Sequence, residues 1–213
     1  MEINRREIYR YLGYGMHEAD EAVSKLVEEC LTELLEAAAP KSVTREFPLR
    51  LLPDHGIDFT CFQTRSKNLS KNLQDCERII LFAATLGAGV DVLIHRYNRI
   101  QMSKAVILQA AAAAVIEEYC DEVNKKLKAD YEAKGLWLRP RFSPGYGDFP
   151  LECQVPVLTV LEAGKRIGIT LTDSLLMAPS KSVTAVIGVS RKPHRCELGG
   201  CEVCGKKDCA YRR

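Results

Sequence analysis

The run Arg78 to Leu86, RIILFAATL, constrains the fold more than any other segment. It is apolar almost throughout, rich in strand-forming residues, and ends against the glycine pair Gly87 and Gly89. It reads as a strand buried inside a sheet. Two long helical patterns accompany it. From His17 to Ala39, the residues Ala22, Val23, Leu26, Val27, Cys30, Leu31, Leu34 and Leu35 recur at helical spacing, and Pro40 stops the pattern. Ser103 to Lys128 predicts a second long helix, rich in alanine where a neighbour packs closely.

Shorter elements fill the gaps. REIYRYLGYG predicts a short helix ended by Gly13. Ser42 to Leu52 reads as a strand closed by the turn signal Pro53-Asp54-His55-Gly56, and Asp58 to Thr64 as a further strand. Leu69 to Leu73, Val90 to Tyr97 and Val155 to Ala163 read as helices; Ile167 to Leu171 and Ser182 to Val189 read as strands. Helices and strands neither alternate strictly nor segregate. The expected class is α+β, a largely antiparallel sheet with long flanking helices. Residues 1–190 form one domain in this reading, and 191–213 a separate cysteine-rich tail.

Composition narrows the function. At 213 residues the chain buries enough surface to stand without disulfides. A net charge of +2 argues against a nucleic-acid protein built on bulk positive charge. The most apolar helical run, Ala105 to Ile116, is interrupted by Gln109 and is shorter than the roughly 20 residues a membrane span needs. The first residues, MEINRREIYRYLGYG, hold no apolar signal core, so a cytoplasmic location with reduced thiols is expected.

Nine cysteines then need a reason. Cys30, Cys61, Cys76, Cys120 and Cys153 lie in apolar or helical contexts and read as small core residues. The other four form Cys196-x4-Cys201-x2-Cys204-x4-Cys209. Four thiolates can close a tetrahedral site around zinc or hold an iron–sulfur cluster. The tail has almost no apolar residues, so metal binding would supply its folding energy. Zinc and iron–sulfur both stay open, as does His194 as a substitute ligand. Arg191, Lys192, Arg195, Lys206, Lys207, Arg212 and Arg213 flank the cysteines and suit docking to an acidic partner. A zinc-tail nucleic-acid binder would want stacking aromatics there, and only Tyr211 is present.

Gly87-Ala88-Gly89 lacks the full dinucleotide fingerprint and reads as a plain strand-to-helix turn. The segment Arg141-Phe-Ser-Pro-Gly-Tyr146-Gly-Asp148-Phe149-Pro150 is a loop in which Arg141 offers a fork for a carboxylate and Tyr146 a ring for stacking. On composition alone it is equally a structural Pro/Gly loop.

Three motifs in order carry a resemblance: Arg141-x-Ser-Pro-Gly-Tyr146, Leu171-Thr-Asp-Ser-Leu-Leu-Met-Ala-Pro179, and Lys181-Ser-Val-Thr-Ala-Val-Ile-Gly188. Together they resemble the C-terminal activation domain of cobalamin-dependent methionine synthase, whose first motif reads RPAPGYP and whose second reads LTESFAMWP. Looser similarity extends back through the alanine-rich helix to the N-terminal helices.

That resemblance implies a C-shaped, helix-decorated antiparallel sheet that binds S-adenosylmethionine and caps a cobalamin domain whose cofactor has oxidised to cob(II)alamin. A flavodoxin-type or ferredoxin-type donor then supplies one electron, and the methyl of S-adenosylmethionine restores methylcobalamin. By the same resemblance Arg141 holds the ligand carboxylate or nearby polar groups, and Ser143 and Gly145 lie beside the adenosine. Tyr146 lines the pocket, and Glu117 meets the amino group, with Glu118 and Asp121 as rivals. No side chain is expected to act as a catalyst, since positioning supplies the rate. The family's acid upstream of the motif arginine is replaced here by Gly135, with Glu132 nearby, and Gly13 lies near the place of its N-terminal acid. No folate, homocysteine or cobalamin module is expected within these 213 residues. The expected role is a stand-alone reactivation subunit acting in trans on a core synthase or another corrinoid protein, its tail relaying an electron. The alternative is a scaffold that keeps the fold, has lost the ligand, and carries a structural zinc tail.

Overall fold

The computed structural model describes residues 3–15, 17 and 19–193. In chain order the elements begin with α1 (Arg5–Tyr11), α2 (Glu21–Ala37), β1 (Lys41–Pro48), β2 (Arg50–Leu51), β3 (Gly56–Asp58), β4 (Gln63–Arg65) and α3 (Lys67–Asn72). Next come β5 (Cys76–Thr85), α4 (Ala88–Ile100), α5 (Met102–Glu132) and β6 (Trp137–Leu138). A single 3-10 turn (Leu151–Cys153), α6 (Gln154–Val160), α7 (Ala163–Ile167), β7 (Thr170–Leu171), β8 (Met177–Ala178) and β9 (Ser182–Ser190) complete the described chain.

The main sheet has the order β1-β5-β9-β6, and every pairing is antiparallel. Strand β5 shows why its sequence is apolar without alternation: both of its faces are covered. Ile80, Phe82 and Ala84 point into one core with α1, α2, α4 and α5. Ile79, Leu81 and Ala83 point into a second core with Phe142, Phe149 and the residues of α6 and α7. A strand buried on both sides has no solvent face to mark with polar residues.

Helix α5 is the spine of the first layer and touches α1, α2 and α4. Its buried Ala105, Ala110, Ala111, Ala112 and Ala114 let those neighbours approach closely. Side chains cap the helices that lean on it: Asn4 accepts from the Arg6 amide at 3.0 Å and Asp20 from the Val23 amide at 2.8 Å. The turn before α4 is a packing device. A Cβ at Gly89 would stand 2.3 Å from the Ala37 carbonyl oxygen at the end of α2, and Gly87 has φ +84°. The plain-turn reading of these glycines therefore has a physical cause.

Some sequence expectations need correction. The strand expected over 58–64 is two short strands. The Asp58 carboxylate accepts from the Thr60 amide at 2.7 Å, Thr60 adopts φ +69°, and the chain turns back so that Asp58 pairs with Gln63. The strand expected over 42–52 breaks after Pro48, and Arg50–Leu51 joins a separate small sheet. Glu162, at φ 52°, splits the helix expected over 155–163 and starts α7. Ile167 closes α7, leaving only Thr170–Leu171 extended.

The five described cysteines are free, with Cys30, Cys120 and Cys153 buried, as core residues should be. Burial pushes the Cys120 thiol up to about 12 and the Cys30 thiol up to about 11. Among the described residues no helix is long and apolar enough to cross a membrane, and no cluster of His, Cys, Asp and Glu has the arrangement of a metal site. The proposed ligands Cys196, Cys201, Cys204 and Cys209 lie outside the described residues.

Candidate functional site

The loop over 141–150 leaves the sheet at one fixed point. Phe142 and Val186 exchange both backbone hydrogen bonds at 2.9 Å, which pins the loop's start to the middle of β9. Phe142 and Phe149 sink into the second core and act as two anchors. Between them Pro144 is buried and residues 145–148 are exposed, and the chain turns twice: the Tyr146 amide donates to the Ser143 carbonyl at 3.1 Å, and the Phe149 amide to the Tyr146 carbonyl at 3.1 Å. Gly145, at φ +85°, closes the first turn, a conformation only glycine adopts freely. The Tyr146 ring stands edge-on to Phe142, with centroids 5.4 Å apart, yet is 68% exposed, so its outer face is free for a ligand or partner.

Arg141 lies one residue before the anchor and reaches the opposite layer. Its guanidinium meets the Asp121 carboxylate at 2.6 Å and the Glu117 carboxylate at 3.3 Å, both on α5. These two acids are four residues apart and share a helix face. The arginine side chain is only 17% exposed, whereas its partners are 41% and 59% exposed. The acids therefore stand at the mouth with the guanidinium behind them.

Next to this triad is a hollow of about 260 Å³, lined by Asn4, Glu7, Ala114, Glu117, Glu118 and Asp121. Four carboxylates line it. Glu7 also binds Arg10 at 2.5 Å, and this carboxylate holds the Arg10 guanidinium above its ordinary value. With Arg141 facing Glu117 and Asp121, and Glu118 beside them, the hollow has an acidic lining that suits a cationic occupant.

The structure brings Arg141 to Glu117 and Asp121, and places Glu118 in the lining of the hollow beside them. Ser143, Gly145 and Tyr146 lie along the loop beyond Phe142 and are not among the residues that line the hollow. Glu7 of α1, which the sequence reading did not single out, also lines the hollow. Its only local signal was a helical position on α1, and its approach to α5 is a tertiary event. The second motif forms the β7–β8 hairpin, which touches α6 where the Gln154 amide donates to the Leu175 carbonyl at 3.4 Å. The third motif begins β9, where Asp91 of α4 accepts from the Ser180 amide at 2.7 Å and the Ser180 hydroxyl at 2.6 Å.

A family model described as "Vitamin B12 dependent methionine synthase, activation domain" matches residues 66–213. A solved structure, the MetH reactivation domain bound to AdoHcy, has a similar fold, with a TM-score of 0.60 at 16% sequence identity. The alignment covers 91% of this chain and 78% of that one. No curated protein sequence matches the chain.

Proposed function

Because the chain belongs to the activation-domain family of vitamin B12-dependent methionine synthases, we propose that it binds S-adenosylmethionine and presents its methyl group to a cobalamin carried by a partner protein. The observation that supports this most is the Arg141–Glu117–Asp121 triad at the rim of an acid-rich hollow.

The ligand's amino-acid end carries a carboxylate and an ammonium, and its sulfonium adds a second positive charge. Binding exchanges one set of ion pairs for another. Arg141 turns its fork from the acids to the ligand carboxylate. The released Glu117 and Asp121 face the ammonium. The remaining acids favour the sulfonium over a neutral thioether. Tyr146 and the backbone of Ser143 to Gly145 then flank the adenosine. The partner's cobalamin supplies the cobalt nucleophile that accepts the methyl. This chain's own contribution is to hold and orient the donor, which can lower a barrier by several kcal/mol without a catalytic side chain, on the order of 7 or more in well-oriented cases.

The chain works in trans on a cobalamin-carrying core synthase or other corrinoid protein, with a flavodoxin-type or ferredoxin-type donor supplying the electron for reductive methylation. Its four-cysteine tail holds an iron–sulfur cluster or zinc. Calorimetry and thermal shift with S-adenosylmethionine test the central claim: heat and a raised melting temperature are expected. Their absence would instead support a ligand-free scaffold, a reading favoured by the fact that Arg141 already has two carboxylate partners. Anaerobic purification tests the tail, since a brown protein that bleaches on reduction carries a cluster and a colourless one with stoichiometric zinc does not.

A further inference from the structure

Asp148 follows the exposed turn of the loop and reaches away from the hollow, toward the start of α3. One carboxylate oxygen accepts from the Ser66 hydroxyl at 2.5 Å and the Asn68 amide at 3.1 Å, and the other from the Lys67 amide at 2.7 Å. The Ser66 hydroxyl in turn accepts from the Leu69 amide at 3.0 Å, and Ser66 is only 2% exposed. The Ser66 hydrogen bond, helped by the two amides, holds the Asp148 carboxyl below its ordinary value. Gly147 completes the contact. At φ +59° it lies so close to Asn68 that a Cβ would stand 2.5 Å from the Asn68 side-chain nitrogen.

The loop is therefore held at three places: by Phe142 on β9, by Phe149 in the second core, and by Asp148 on α3. The two phenylalanines fix where the loop starts and ends. The exposed turn between them, which carries Tyr146, is braced by its own backbone hydrogen bonds, and the Asp148 contact ties it to α3. An unmoored turn of Gly145, Tyr146 and Gly147 would sample many shapes, because both glycines add backbone freedom.

We propose that Asp148 is a positioning residue for ligand binding: by clamping the turn to the first residues of α3, it presets Tyr146 and the Ser143–Gly145 backbone in their binding shape. This rests on the S-adenosylmethionine reading above. The clamp reduces the ordering that the ligand must impose, and its effect reaches the ligand through the loop, since Asp148 itself points to α3.

The test compares the whole chain with its Asp148→Ala, Asp148→Asn and Ser66→Ala variants. Affinity for S-adenosylmethionine is measured by calorimetry. The shape of the turn is read from the fluorine resonance of Tyr146 in 3-fluorotyrosine-labelled protein, assigned by its loss in Tyr146→Phe. Asp148→Ala is expected to weaken binding on the order of tenfold and to move the Tyr146 line in the ligand-free state. Asp148→Asn keeps an oxygen for Ser66 and Asn68 and should recover part of both effects. If Asp148→Ala does not fold, the other two variants carry the same comparison. Unchanged affinity in a folded clamp variant overturns the proposal, whether or not the Tyr146 line moves. So does weakened binding with an unmoved line, which would mean general destabilisation. A wild-type chain that binds no S-adenosylmethionine overturns the preceding reading, separately from the clamp.

Discussion

Replacing Arg141 with methionine separates what the arginine does for the fold from what it does for the ligand. In the structure the guanidinium faces two partly solvated acids, Glu117 and Asp121. Ion pairs of that exposure are worth roughly 0–1 kcal/mol each, and methionine keeps the apolar stem packed. The expected loss of stability is therefore about 2 kcal/mol or less, a shift of at most about 4–8 °C for a chain of this size. The ligand carboxylate loses far more. Hydrogen bonds to charged groups are worth about 1.5–3 kcal/mol each, so losing a bidentate pair should weaken S-adenosylmethionine by about 100-fold or more. Calorimetry beside a thermal melt reads both quantities. A second ligand sharpens the comparison: 5′-methylthioadenosine keeps the adenosine and sulfur but lacks the amino-acid end, and its affinity should not fall in Arg141→Met. Equal losses for both ligands, or a large fall in melting temperature with no change in affinity, would refute the ion-pair exchange.

Other consequences are open to simpler measurements. Gly89→Ala forces a methyl against the Ala37 carbonyl, and denaturant melts should show a loss of about 1–3 kcal/mol despite alanine's better helix propensity. Gly188→Ala in β9 would place a Cβ 2.7 Å from the Cys76 sulfur and 2.9 Å from both Arg139 and Leu73. It should cost a similar amount, about 1–3 kcal/mol, in the same assay, and Cys76→Ala should recover part of it. The buried Cys120 thiol stays protonated in the fold up to about pH 12, against an ordinary value of 9.0. Its contribution is thus complete below pH 9 and shrinks as the pH rises toward 12, because only the unfolded chain releases the proton. Between those limits the wild type should lose about 1.4 kcal/mol more per pH unit than Cys120→Ala, a difference read from denaturation midpoints at pH 8, 9.5 and 10.5.

The parts of this molecule legible in sequence are those encoded within one element. The buried strand Arg78 to Leu86 announced itself because both faces are apolar, and α5 because alanine and larger apolar residues repeat at helical spacing. Arg141 was singled out through motif order and Glu117 through looser similarity along α5; that their side chains meet at 3.3 Å is a tertiary fact neither signal records. The remainder was encoded between elements. Glu7 comes near Glu117 only because α1 packs on α5, which no local pattern records. Asp148 looked like one more polar loop residue, because its three donors come from a helix some eighty residues earlier. The strand break at Thr60 and the helix break at Glu162 reflect single backbone choices at positive φ, where non-glycine residues give little warning.

Neighbouring residues Arg141 and Phe142 serve opposite sides of the sheet. The first answers to helix α5, the second to the core beneath β9. The polypeptide passes from one layer to the other at a single peptide bond, with the hollow on the α5 side and the Tyr146 ring against Phe142 on the other. A ligand gripped by both layers would work like a rivet. It would tie the opening of one layer to the opening of the other, so that amide exchange in α5 and in the core around Phe149 slows together when the ligand is added.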